Sequence, residues 1–314
     1  MVDKFKWLRP RVEKLIEIAK PFKTIQPDIF YEGGGEWSII KLLANLRFVE
    51  IYTKIIKAPR QQAFFQNMYY IDLLAGSGLC KIGEKGDVIA GSALLACTHC
   101  YHPFDKYFFV EQDPAKANAL QERIKTVTPN FSLYNCDCNR CIDEIMSEIS
   151  EKSHYLAYVD CEGLDVSWTT MRSLFSKNGD VLFNFQTQNV HRNVVKAQKK
   201  ALGWESTTEK LNWFFGDERW IDCKDPDNLL FCYMDKIRNE TTRRIVLALP
   251  VKGNRGYRYD IILATRITSG GSPWIKPMEE LKEIMGGYKP KIVEKTLDIL
   301  MNRQQTLNGL CGTQ

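Results

Sequence analysis

No apolar run in the 314-residue chain reaches the roughly 18 residues that a membrane span needs. The opening stretch MVDKFKWLRPRVEKLIEIAK is charged and helical in pattern, and it lacks the continuous apolar core of a signal peptide. The expectation is a soluble cytoplasmic protein with no membrane partner. Internal repeats and low-complexity segments are also missing, which argues against a solenoid or a disordered array. Strong charge of either sign is absent: a net charge of +5 permits an anionic partner without demanding one. What remains is an ordinary globular composition, 44% apolar and 26% charged, enough for a real core. In a cytosolic chain of this size, most of the ten cysteines are expected to be reduced thiols.

Apolar, β-rich runs recur along the chain: MYYIDLLAG (68–76), KYFFVEQD (106–113), FSLYNCD (131–137), HYLAYVD (154–160), DVLFNFQTQ (180–188), RRIVLALPV (243–251) and YRYDIILATRI (257–267). Continuous runs suit strands covered on both faces, as in a parallel sheet. PAKANALQERIKTV and CIDEIMSEIS, between them, have helical spacing. This alternation predicts a doubly wound α/β sheet of seven strands. The last two strands are separated by a few residues containing Gly253 and Gly256, which predicts an antiparallel hairpin at the edge. Residues 189–242 break the rhythm and are read as a helical insert carrying Trp204, Trp213 and Trp220. Before the first strand, WSIIKLLANLRFVEIYTKIIK (37–57) is an amphipathic helix, and Gly33-Gly34-Gly35 is expected to be a mobile loop.

Ligands of such sheets sit at the carboxyl ends of the strands. The first strand ends in Asp72, then Ala75-Gly76-Ser77-Gly78, a turn that lets a ligand approach the backbone. Asp72 is read as the group that orients this turn. The second strand ends in Glu111-Gln112-Asp113, and a carboxylate there suits both hydroxyls of a ribose. The third ends in Asn135-Cys136-Asp137, where the acid suits an adenine amino group. The fourth ends in Asp160-Cys161-Glu162-Gly163. In that order the groups suit an adenosine cofactor lying across the sheet edge. A dinucleotide would need a helix starting at the glycines to take its pyrophosphate. Here LCKIGEKGDVIA intervenes and the helix is expected near Ser92, so S-adenosylmethionine fits better than NAD.

The segments WSIIKLLANL, YYIDLLAGSG, GSALLA, FFVEQD, AYVDCEGLDVSW, LFNFQTQNVHRN and YDIILATRITSGGSPW, in order from about residue 37 to 285, resemble the three-Cys-motif partner protein (TcmP) family. That family has the class I S-adenosylmethionine-dependent methyltransferase fold, a Rossmann-like sheet. The expected organisation is an N-terminal helical extension with a Gly-rich loop (1–36), a cofactor-binding methyltransferase-like core (37–188), the helical insert (189–242) and the final strands with C-terminal helices (243–314). The resemblance implies a methyltransferase-like domain. The reaction expected of it is methyl transfer to a nucleic acid or nucleotide, which needs a group to position or deprotonate the acceptor, with Asp160 and Glu162 as the catalytic candidates. The alternatives are an inactive partner of a radical-enzyme-like protein and a small-molecule methyltransferase. Such proteins usually carry Asp-Pro-aromatic-Gly after strand four. Without that ring, Trp168 or Tyr31 would have to stack a base.

Other residues have plainer readings. Cys136, Cys138 and Cys141 lie along one helical face and are read as buried thiols, with no metal called for. Cys161 beside two carboxylates would have a raised pKa, the wrong direction for a nucleophile. Tyr31, Trp37 and Lys41 flank the Gly-rich loop, which could close over the cofactor with an aromatic ring on a base. Arg192 and Lys196, with Lys199 and Lys200, could follow a phosphate backbone. Yet eleven bases offset nine acids over 188–244, so the insert as a whole is not a basic patch.

Overall fold

The computed structural model describes residues 4–58, 64–252, 257–267, 275–285 and 290–301. Helix α1 (Lys4–Ala19) leads into a short strand β1 (Tyr31–Gly34) and the long helix α2 (Glu36–Ile56). Strand β2 (Asn67–Asp72) starts the main sheet, and β3 (Leu79–Ile82) and β4 (Asp87–Ala90) form a hairpin before α3 (Ser92–Thr98). Then follow β5 (Lys106–Val110), α4 (Pro114–Lys125), β6 (Phe131–Tyr134), α5 (Cys138–Glu148), β7 (Ser153–Val159), α6 (Trp168–Leu174) and β8 (Gly179–Phe185). The helical insert comprises α7 (Thr187–Gln198), α8 (Trp204–Phe215) and α9 (Pro226–Glu240). Strands β9 (Ile245–Lys252) and β10 (Arg258–Thr265) precede α10 (Ile275–Met285) and α11 (Pro290–Leu300).

The main sheet has seven strands in the order β6-β5-β2-β7-β8-β10-β9. Only β10 runs against the rest, pairing antiparallel with both β8 and β9. This is the mostly parallel sheet with a terminal hairpin expected from the sequence; Gly253 and Gly256 lie outside the described residues. The alternation along each strand explains why both faces need cover. Tyr107 and Phe109 of β5 join one core with α1, α2 and α3, whereas Phe108 and Val110 join the other, with α5, α6 and α7. Tyr158 and Val159 of β7 divide in the same way. The insert belongs to that second core. Phe214 of α8 and Tyr233 of α9 pack at tilted angles around Phe183 and Phe185 of the sheet.

The chain leaves β2 towards β5 and β6, then returns to the other side of β2 as β7. The crevice between β2 and β7 is thus the switch point at which ligands of such sheets bind. Above it the structure departs from the expected Gly-rich loop. Tyr31–Gly34 is a strand paired in parallel with β3, and β1, β3 and β4 make a second sheet of three strands. The glycines there serve close packing as well: a Cβ on Gly35 would fall 2.3 Å from the Trp37 ring. No described helix is long and apolar enough to cross a membrane.

Candidate active site at the switch point

The turn after β2 is built by glycines in left-handed backbone. Gly76 has φ +62° and Gly78 φ +82°, and a Cβ on Gly78 would approach Leu120 to 3.0 Å and Leu94 to 3.2 Å. The Ala75 amide donates to the Val110 carbonyl, stitching the turn to β5. Glu111, at the end of β5, accepts from the Gly76 amide at 2.9 Å and from the Asp113 amide at 2.8 Å. Ser77 is buried and bonds across to Leu79, so it shapes the turn. Helix α3 begins at Ser92, well past the glycines, as expected for a ligand without a pyrophosphate.

Asp72 is fully buried beneath this turn, and its Oδ1 accepts from the Leu74 amide at 3.3 Å. Its Oδ2 has no hydrogen-bond partner among the described residues. Burial pushes the carboxyl up to about 7, with the Ser92 hydroxyl and the Leu74 amide opposing the rise and the Asp160 and Glu111 charges adding to it.

Asp137 caps α5, accepting from the Asn139 amide at 2.8 Å through Oδ1. Asn135 donates to the Glu111 and Gln112 carbonyls, tying the ends of β5 and β6 together. Beside them, Cys136 and Cys141 are joined as a disulfide, where reduced thiols were expected; the turn from β6 into α5 brings their Cα atoms to 6.8 Å. Among the described residues no His, Cys, Asp and Glu cluster could hold a metal.

On the β7 side, Asp160 is held by three donors. Lys41 Nζ lies 2.7 Å from Oδ1, Asn184 Nδ2 lies 2.6 Å from the same oxygen, and the Tyr158 hydroxyl is 3.3 Å from Oδ2. The Lys41 side chain is 10% exposed and that of Asp160 20%. Tyr31 donates its hydroxyl to Glu162, bridging from β1 to the loop after β7. Burial, with Asp165 nearby, raises the Glu162 pKa. Cys161 is buried against the Gly163 and Asn184 carbonyls, and burial pushes its thiol far up, with Asp165 and Asp160 adding to it; the direction is the expected one, but its main cause is burial rather than the flanking carboxylates.

Apart from Asp72, which lines neither, the cofactor and catalytic candidates open onto two adjoining cavities that form one cleft. A cavity of about 500 Å³ is lined by Ala75 to Gly78, Glu111, Lys41, Asp160, Glu162 and Tyr31. A second, of about 700 Å³, is lined by Gln112, Asp137, Cys136 and Trp213. Leu74, Glu111, Leu164, Asp165 and Lys210 form walls of both. Several expected residues lie elsewhere. Trp168 is core, edge-on to Tyr233, and Trp37 stacks on Tyr257 at 5.2 Å; neither lines the cleft. Arg192 and Lys196 do not line it either, although Asn189 and Asn193 of the same helix do. Ser38, Lys116 and Lys210 also line it and were not singled out. Ser38 could have been found, since it sits one helical turn before Lys41.

Arg123 of α4 carried no signal in the sequence. Its buried guanidinium donates to the Ser77 carbonyl at 2.7 Å and to the Ile25, Gln26 and Ile29 carbonyls. It binds the segment before β1 to the glycine turn, and burial pushes its pKa down to about 10.

No protein-family model and no curated protein matches the chain. Solved structures do. A Legionella pneumophila protein of family DUF519 has 12% identity over 87% of this chain and 95% of its own, with TM-score 0.48. The O-methyltransferase TomG of Streptomyces achromogenes, in complex with S-adenosylmethionine, has 10% identity over 82% and 89%, with TM-score 0.41. Trm1 of Pyrococcus horikoshii, with S-adenosyl-L-methionine, has 8% identity over 72% and 55%, with TM-score 0.38. At such values the chemistry has to come from this chain's own residues.

Proposed function

We propose that the chain is an S-adenosylmethionine-dependent methyltransferase acting on a nucleic acid or nucleotide; its resemblance to TcmP proteins implies the methyltransferase-like domain. The observation that carries this is the single cleft in which the glycine turn, Glu111 and Asp137 adjoin Asp160 and Lys41. The site fits such a cofactor in three ways. It has a glycine turn without a helix start for phosphate, a strand-end carboxylate for two ribose hydroxyls, and a buried acid with an orphaned oxygen near the turn. Backbone from Ala75 to Gly78 would hold the amino-acid end, Glu111 and Gln112 the ribose, and Asp137 the adenine amino group. Asp72 would supply the negative charge for a cationic ligand. When bound, the cofactor supplies an electrophilic methyl group. Around it, Asp160 would anchor the acceptor end of the cleft, Glu162 would take a proton, and Tyr31 would present a ring at the mouth. Isothermal titration with S-adenosylmethionine tests the cofactor: no heat at millimolar ligand with a normally folded protein removes it.

One observation favours a second reading. Asp160 is followed by neither proline nor an aromatic ring, and its oxygens already meet three donors. That suits a methyltransferase-fold partner of a radical-enzyme-like protein that binds without chemistry. Transfer of labelled methyl groups to RNA, DNA or metabolites separates the two, and label in metabolites alone would make it a small-molecule enzyme.

A further inference from the structure

Asp160 keeps acceptor capacity only on Oδ2 beyond the donors that already meet it. Both of its oxygens are engaged, Oδ1 by Lys41 and Asn184 and Oδ2 by Tyr158. Lys41 is the group with hydrogen bonds left to give. An ammonium has three N–H donors, and only the bond to Asp160 is made among the described residues. Its side chain is nearly buried yet lines the cavity beside the glycine turn, with Nζ 5.8 Å from the Tyr259 ring centre.

The chemistry of that donor selects the acceptor. A base amine has one lone pair, and that pair must attack the methyl carbon; a bond from Lys41 would occupy it. A hydroxyl oxygen has two lone pairs. One can accept from Lys41 while the other attacks, and the ammonium stabilises the negative charge that grows as the O–H ionises. We propose that Lys41 is a catalytic residue and that the methyl acceptor is a hydroxyl, which within a nucleic acid is the ribose 2′-hydroxyl of RNA. This rests on the transferase reading above. The acceptor oxygen forms its new bond to the methyl carbon as the carbon–sulfur bond breaks towards sulfur, leaving a neutral thioether. The hydroxyl proton passes to the Glu162 carboxylate, which lines the same cavity. Asp160 and Asn184 are then positioning residues. Asp160 fixes the lysine, and Asn184 fixes Asp160.

The test incubates the protein with S-adenosylmethionine carrying a tritiated methyl group and either total RNA or total DNA from cells lacking the gene. The labelled RNA is then hydrolysed in alkali. A 2′-O-methyl group removes the oxygen that cleaves the strand, so the expected label lies in alkali-resistant dinucleotides, with none in DNA. Label in mononucleotides or in DNA overturns the hydroxyl assignment and leaves the transferase reading standing. No label in either nucleic acid, with cofactor still titrating, removes the nucleic-acid reading and this inference together. Lys41→Met is expected to lose about 100-fold or more in transfer rate. Lys41→Arg should keep part of it, with its charge and donors retained. In both variants calorimetric cofactor affinity should stay within about threefold of wild type, which also certifies the fold. A loss of about tenfold or more in cofactor affinity would assign Lys41 to the cofactor instead, and unchanged transfer in Lys41→Met would equally overturn its role.

Discussion

The two halves of the cleft are assembled in different ways. The half around β2, β5 and β6 is made of strand ends. Its glycine turn, Glu111 and Asp137 each follow directly from a strand, and neighbouring strands bring them together. The half around β7 is made of distant pieces. Lys41 reaches Asp160 across 119 residues of chain, and Tyr31 reaches Glu162 across 131. The first half is dictated by sheet topology, because parallel strands in fixed order place their ends in a row. The second depends on how α2 and the small three-stranded sheet lie over the crevice. Arg123 joins the two, with the glycine turn on one side and the segment before β1 on the other.

If that division is right, Arg123→Ala damages both halves at once. It strips four carbonyls of a charged donor in a buried site, so thermal denaturation should show a loss of about 4 kcal/mol together with weaker cofactor binding. A variant that melts like wild type would mean that the halves hold together without it. Asp160→Ala leaves the Lys41 ammonium nearly buried and unpaired, at a cost of about 3 kcal/mol. Its cofactor affinity should be nearly unchanged while methyl transfer falls, and equal labelling by this variant would remove Asp160 from the mechanism. Glu111→Gln is its mirror. It replaces a carboxylate oxygen facing an amide with an NH₂ group, and calorimetry should show cofactor binding weaker by about 2 kcal/mol. Sparing of the cofactor in Glu111→Gln would collapse the contrast.

The larger pH response belongs to the first half; in the second, burial with Asp165 nearby raises the Glu162 carboxyl. Burial lifts the Asp72 carboxyl from its ordinary 3.8 to about 7. The stability tied to this proton is therefore fully present below about pH 4 and is lost as pH rises through about 7. A cationic cofactor prefers the ionised carboxylate, so its affinity should climb about tenfold between pH 6 and pH 8. Asp72→Asn should flatten that climb, and a wild-type affinity independent of pH would detach Asp72 from the ligand. The smallest effect is expected from Tyr31→Phe, which deletes one partly exposed hydroxyl bond to Glu162. About 1 kcal/mol of stability is at stake, read as a small drop in melting temperature. A change in cofactor affinity larger than that would place Tyr31 over the cofactor rather than at the acceptor end.

The same division marks what could be read from residues alone. The seven strands, the hairpin and the start of α3 near Ser92 were legible because apolar runs, short spacers and glycines are local signals. The strand-end positions of Glu111, Asp137 and Asp160 along the cavities were legible for the same reason, whereas Asp72, also at a strand end, is buried beneath the turn. Trp168 and Trp37 were misplaced because an aromatic ring beside a site and one in the core look alike in sequence. The hairpin at 79–90 and its pairing with β1 went unread, because four-residue strands carry too little pattern. The Cys136–Cys141 pair was missed because only the turn from β6 into α5 brings the two cysteines together.

By itself, then, the sequence determined the layered α/β architecture and the row of groups along one sheet edge, both consequences of side-chain periodicity and the direction of strands. The tertiary structure decided which charges meet. Asp160 became the anchor of Lys41 rather than a free acid, Arg123 became a clamp on four carbonyls, and Tyr31 came to rest over the crevice. Such pairings cost little to write into a chain at any separation. They acquire their energy and their chemistry only when folding removes water from around them, which is why spacing along the chain does not reveal them.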